Sequence, residues 1–296
     1  MSDWSVQFRR GLLALLVLEI VVVVGLVVAM AKAPPTYKPV LPPGVKEIPA
    51  MAARKAVLPI TVDGKLDEAV WESAPAYPLS LSKDEAKGAK QLAEGGAIKL
   101  AWNKQFLYVG IKFYDSDIVA QGTKDNEHHY KLGDTCELFL RPGKSPHYWE
   151  MYATPKGLKS TFWFWMRGGE LIVDEKSELK VAAQIVENPP AEKAEQPAAT
   201  AAGAPQNLGQ DAPATAGAKP AGPKKYWTAE LAVPVAMLTQ YGDEFGPESD
   251  WRILVARYNY DQPITENAPK EHSSAPQLSV TSFHRHEDYA AIKFEQ

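Results

Sequence analysis

His284 and His286 stand two residues apart and are followed at once by Glu287 and Asp288. On an extended segment that spacing sets both imidazoles on one face, where they could hold a metal ion; a solvated polar turn before the last strand is the other reading. Asp134 and Glu137 form an acidic pair suited either to proton transfer or, more simply, to a turn and surface. The run Phe162-Trp163-Phe164-Trp165 makes both faces of a strand aromatic. One pair can enter a core, and the other, read as Trp163 with Trp165, needs cover from an insertion, a ligand or a protein partner. The sequence has no nucleophile matched to a base, no glycine-rich phosphate loop and no His-Glu-x-x-His helix, and it reads as a non-enzyme. The lone Cys136 can make no internal disulfide and reads as an inert buried thiol on a strand.

These side chains need a scaffold. Alternation and β-branched or aromatic content predict strands at Val57–Val62, Ala97–Trp102, Phe106–Tyr114, Thr135–Arg141, Tyr148–Thr154, Ser160–Met166, Leu179–Val186, Tyr226–Val233, Trp251–Tyr260 and Tyr289–Phe294. Short helices are predicted at Glu68–Ser73 and Val235–Tyr241. Many short strands punctuated by Gly, Pro and Asp imply an all-β fold, a sandwich of two antiparallel sheets. With 296 residues, 45% hydrophobic, the chain can bury a real core, and a net charge of -4 offers no basic footprint for nucleic acid.

Two biased stretches and one apolar run organise the rest. Gly11 to Met30 contains fourteen Leu, Ile or Val in 20 residues, enough at about 1.5 Å per residue to span a bilayer and longer than a signal-peptide core. Arg9 and Arg10 precede it, so residues 1–10 read as a cytoplasmic tail, 11–31 as a transmembrane helix of a bacterial inner membrane, and the remainder as periplasmic. Glu19 sits in mid-helix, where a charge costs about 2.5–3.5 kcal/mol, and it reads either as a contact for another membrane subunit or as a tolerated polar residue. Residues 32–56, rich in Pro, read as a semi-rigid stalk, and 188–223, rich in Ala and Pro, as an insertion within a domain spanning 57–296.

Ile60-Thr-Val-Asp-Gly-Lys-Leu-Asp-Glu-Ala-Val-Trp71 is similar to the opening of the family 9 carbohydrate-binding modules and their DOMON-like relatives, in which a strand leads to a helix that tucks in a Trp. Leu100-Ala-Trp-Asn103, Phe106-Leu-Tyr-Val109, Asp134-Thr-Cys-Glu-Leu-Phe-Leu140, Tyr148 to Gly157, Trp227 to Pro234, Arg257, Ser282-Phe-His284 and Ile292-Lys-Phe294 follow in that family's order. The resemblance implies a β-sandwich with a sugar site of stacking aromatics and charged groups. Tyr130 and Lys131 occupy the place of one stacking Trp, Phe283 the place of the second, and Glu137 that of the acidic sugar contact. Glu150 stands where an Arg would contact hydroxyls, and Arg257 is a further candidate. The resemblance also reaches haem-binding sandwich subunits, which makes Met151, His128, His129, Lys131 and His147 candidate ligands of haem b. Structural calcium in relatives makes Asp115, Asp117 and Asp125 candidates for that ion.

The reading that unites these features is a non-catalytic, membrane-anchored accessory subunit. Its helix and exported sandwich dock on a larger membrane complex, respiratory or photosynthetic, through Glu19 in the helix and Trp163 and Trp165 in the sandwich. The alternatives are a membrane-tethered carbohydrate-binding module and a haem-b electron-transfer subunit. In the first two readings the chain carries no cofactor.

Overall fold

A computed structural model describes residues 48–88, 90–187, 225–262 and 269–296, with Pro189 and Ile264 besides. The tail 1–10, the helix expected at 11–31, most of the stalk and nearly all of the insertion lie outside the described residues. Among the described residues no helix is long and apolar enough to cross a membrane.

Thirteen strands and two short helices follow one another among the described residues: β1 (Met51–Lys55), α1 (Ala69–Ser73), β2 (Tyr77–Pro78), β3 (Gly96–Trp102), β4 (Phe106–Tyr114), β5 (Thr135–Pro142), β6 (Tyr148–Ala153), β7 (Lys159–Phe164), β8 (Leu171–Val173), β9 (Lys180–Val186), β10 (Tyr226–Pro234), α2 (Val235–Thr239), β11 (Trp251–Asn259), β12 (Glu271–Ala275) and β13 (Ala290–Phe294). One sheet runs β13-β1-β3-β4-β10-β9, with β2 beside β3. The other runs β8-β7-β6-β5-β11-β13, with β12 beside β11. Strand β13 serves both: Ala290 and Ala291 pair with β11, while Ile292 to Phe294 pair with β1.

Alternation decides what each face does. Leu138 and Leu140 of β5, Trp149 and Met151 of β6 and Ile253 and Val255 of β11 meet Leu100, Val109, Trp227 and Leu231 of the first sheet in one buried cluster between the sheets. Cys136 lies in it too, and burial pushes its thiol up, as an inert thiol requires. The opposite parity on the first sheet, Ala101, Tyr108 and Ala232, receives Trp71 from α1. The opposite parity on the second carries Phe139, Tyr148, Tyr152, Phe162, Phe164, Leu254 and Ala256.

The structure amends two expectations. Met51–Lys55, read as the end of the stalk, is a strand inside the fold, and its pairing with both β13 and β3 is parallel, so the sandwich is not purely antiparallel. Val57–Val62, expected as a strand, is not one. Met51 and Ala53 present an alternating buried face, whereas Val57 and Leu58 are 86% and 71% exposed and Pro59 has no N–H to give a ladder.

Candidate functional site

The outer face of the second sheet holds a cavity of about 430 Å³ walled by Tyr130, Tyr152, Tyr258, Phe164 and Phe283, with Glu137 and Glu150 at its base. Strand parity puts them there. Glu137 lies opposite Tyr152 and Ala256, and Glu150 opposite Phe139 and Phe162, so both carboxyls share the outer face while their neighbours Leu138 and Met151 enter the core. His272 of β12 and Thr281, Ser282 and His284 of the loop before β13 complete the rim.

Rings fix the walls. Tyr258 stands between Tyr130, at 5.4 Å between centroids, and Phe283, at 5.3 Å. His272 meets Tyr258 edge-on at 4.8 Å, and His128 stacks on Phe162 at 5.2 Å. The Tyr152 hydroxyl donates to Glu150. Tyr148 Oη and His284 Nδ1 share a hydrogen bond of 2.9 Å, and His284 Nε2 lies 3.7 Å from Glu150 Oε2. Burial raises the Glu150 carboxyl to about 7. Burial and then the neighbouring Glu150 charge raise Glu137 well above the carboxylate range. Desolvation holds the imidazoles of His128, His272 and His284 below their ordinary value, so they are neutral at pH 7. Flat rings beside hydrogen-bonding carboxyls suit a ligand with apolar faces and polar edges.

Of the residues singled out in the sequence, Tyr130, Glu137, Glu150 and Phe283, expected as sugar contacts, converge on this cavity, and so do His128 and His284, expected as metal or haem ligands. Lys131 is exposed, with Nζ 5.3 Å from the Tyr130 ring, and does not line it. Arg257 does not belong to the site either. It has the parity of Ile253 and Val255, and it is fully buried, bonded to Asp115 at 2.9 Å and Asn259 at 3.0 Å. Tyr152, Tyr258 and His272 are the site residues that sequence reading passed over. Tyr152 and Tyr258 were findable by parity, the first two residues after Glu150 and the second next to the inward Arg257; His272 sits on a strand too polar to be noticed.

The remaining candidates disperse. Met151 is buried in the core while His128 stands on the outer face, and His147 pairs with Asp243 at 2.9 Å beside Trp149, so the proposed haem ligands do not share a site. Asp115 engages Arg257 and accepts from the Asp117 amide, Asp117 accepts from the Gln262 amide and Asp125 from the Lys159 amide, so each calcium candidate already has a protein partner. His284 and His286 lie on a turn rather than an extended segment, both against Tyr148. Among the described residues no three His, Cys, Asp or Glu side chains gather as a metal site requires. Asp134 is not paired with Glu137; its carboxylate accepts from the Val119 and Tyr260 amides. Trp163 packs on Tyr241 at 4.8 Å and so finds cover within its own chain, whereas Trp165 is 53% exposed. Glu19 lies outside the described residues.

The sandwich thus keeps an aromatic, acidic cavity on the outer face of one sheet and a tucked tryptophan on the outer face of the other. Residues 62–156 match the family described as carbohydrate family 9 binding domain-like. The fold is similar to that of a candidate carbohydrate-binding protein from Bacteroides uniformis, at 12% identity over 83% of this chain and 99% of that one, with a TM-score of 0.59. A family 9 carbohydrate-binding module from Caldicellulosiruptor kristjanssonii, solved with glucose, matches at 10% identity over 83% of this chain and 95% of that one, with a TM-score of 0.43. The same organism's module solved with cellotriose gives 10%, 83%, 93% and 0.42. No curated protein matches the chain.

Proposed function

We propose that the sandwich is a non-catalytic carbohydrate-binding module whose sugar site is the cavity over Glu137 and Glu150. The observation that carries this reading is the convergence of Tyr130, Glu137, Glu150 and Phe283 on one cavity with Tyr258 between the two outer rings. The family match over residues 62–156 supports it independently. A pyranose offers C–H faces to the rings and hydroxyls to the carboxyls. The apolar run at 11–31, expected from the sequence to cross a bilayer, would tether the module to a bacterial inner membrane with the cavity on the periplasmic side.

The test is titration calorimetry of the full chain, in a detergent with no sugar head group, against a panel of oligosaccharides. Saturable binding that Tyr258→Ala weakens at least tenfold supports the proposal, and silence across the panel overturns it.

A second reading, docking on a larger membrane complex, is favoured by one observation. Trp165, Met166, Ile172 and Val173 expose 53%, 38%, 47% and 40% of their surface along the β7–β8 hairpin, at the free edge of the second sheet. Native-membrane extraction followed by native electrophoresis tests it: comigration with other subunits that Trp165→Ser abolishes supports docking, and a lone band counts against it.

A further inference from the structure

The charge of the cavity is one-sided. Glu137 and Glu150 are 2% and 5% exposed, and they are diagonal neighbours on adjacent strands, about 7–8 Å apart at the backbone. Among the described residues that line the cavity there is no Lys or Arg. The hydroxyl of Tyr152 and, at 3.7 Å, a neutral imidazole are the polar company Glu150 has inside it. Two carboxyls so placed would repel each other if both ionised, and they lack the water that would disperse that charge, so both hold their protons to unusually high pH.

A neutral sugar leaves that penalty on ionisation in place, and an anionic one adds to it. A ligand with a positive group relieves it, because one ammonium can face both carboxylates and supply the missing donors. The walls favour the same charge: Tyr130, Tyr152, Tyr258, Phe164 and Phe283 surround the space, and aromatic faces attract cations within about 6 Å.

We infer, resting on the glycan reading above, that the cavity selects a sugar carrying a protonated amine, a glucosamine-type residue, with its ammonium between Glu137 and Glu150 and its ring faces against Tyr130 or Tyr258. This is a choice of substrate class within the proposed site, made by charge rather than by hydroxyl pattern.

Calorimetry of the full chain at pH 7 with four probes decides it: chitobiose with both amines free, its N,N'-diacetylated form, cellobiose and choline. The expected result is free-amine disaccharide bound at least tenfold more tightly than the acetylated form or cellobiose, with the ratio collapsing towards one in Glu150→Gln. Cellobiose or the acetylated form binding as well as the free amine overturns the inference and leaves the glycan reading standing. No binding of any sugar overturns both. Choline binding as tightly as the free-amine disaccharide overturns the sugar component. The wild-type comparison stands by itself if Glu150→Gln does not fold.

Discussion

Glu230 holds together the motif that opens the domain. Its Oε1 accepts from the Trp71 indole at 2.9 Å, and its Oε2 accepts from the Asp63 and Gly64 amides, each at 3.0 Å. Gly64 has a φ of +84°, and a Cβ there would stand 2.7 Å from the Ala183 backbone, so the turn that delivers those amides needs glycine. Glu230→Leu strands three donors at about 1–3 kcal/mol each, and a loss of at least about 3 kcal/mol in urea denaturation is expected. Arg257 yields the contrasting prediction. Arg257→Met leaves the Asp115 carboxylate buried without its partner, which costs about 3–5 kcal/mol in the same assay. In whatever fraction stays folded, sugar affinity is expected to match the parent, because the guanidinium lies on the far side of the sheet from the cavity; a tenfold loss would return Arg257 to the site. The structure brings Glu137 and Glu150 to the cavity and leaves Arg257 outside it, and the side Arg257 takes was illegible for one physical reason. Both parities of β11 are apolar, with Trp251, Ile253 and Val255 on one and Leu254, Ala256 and Tyr258 on the other, so nothing in the strand itself says which face Arg257 takes.

Element by element, the strands that were legible are those with long β-branched and aromatic alternation: Phe106–Tyr114 has the bounds expected, and β3, β5, β6, β7, β9, β10, β11 and β13 depart from theirs by a few residues at most. The strands that were not legible owe their existence to neighbours. β12, Glu271-His-Ser-Ser-Ala275, is a strand because it completes the ladder of β11, and β1 is one because it fills the gap between β13 and β3. Tertiary pairing overrides local preference in both. β1 therefore supports a sharp prediction about boundaries. A fragment beginning at residue 57 loses Met51 and Ala53 from the core and leaves the facing edges of β13 and β3 unpaired. It is expected to aggregate or to lose its cooperative unfolding transition, while a fragment beginning at residue 48 unfolds cooperatively. Equal transitions for the two fragments would show that β1 contributes nothing to the fold.

At the scale of the whole molecule, a two-sheet sandwich was legible because so many strands carry an inward apolar parity. The route from one sheet to the other through β13 and β1 was not, since five-residue strands hold too little pattern to announce two partners. Burial across this sandwich also sets how stability depends on pH, and the two kinds of buried acid and base pull in opposite directions. The imidazoles of His128, His129, His147, His272, His284 and His286 are all lowered by desolvation, the last to about 3. The unfolded chain binds protons at these groups below pH about 6.5, so their penalty on folding fades as pH rises to that value and changes no further. Glu150 and Glu230 are raised by burial to about 7, and Asp134, by burial and the adjacent Asp115 charge, to about 8. Their contribution is fully present below the unfolded carboxyl value near 4 and is lost as pH climbs through 7 to 8. Above about 6.5 only the carboxyls still act, so stability should peak near pH 6 and decline from there to pH 8.5. Melting curves at constant ionic strength are expected to show the midpoint falling by several degrees across that interval, and Glu230→Gln, which cannot ionise, should fall less steeply than the parent over the same range. A midpoint that stays level or rises between pH 6.5 and 8.5 would mean that these carboxyls are already charged in the folded protein, and the one-sided cavity would then hold its negative charge without a ligand.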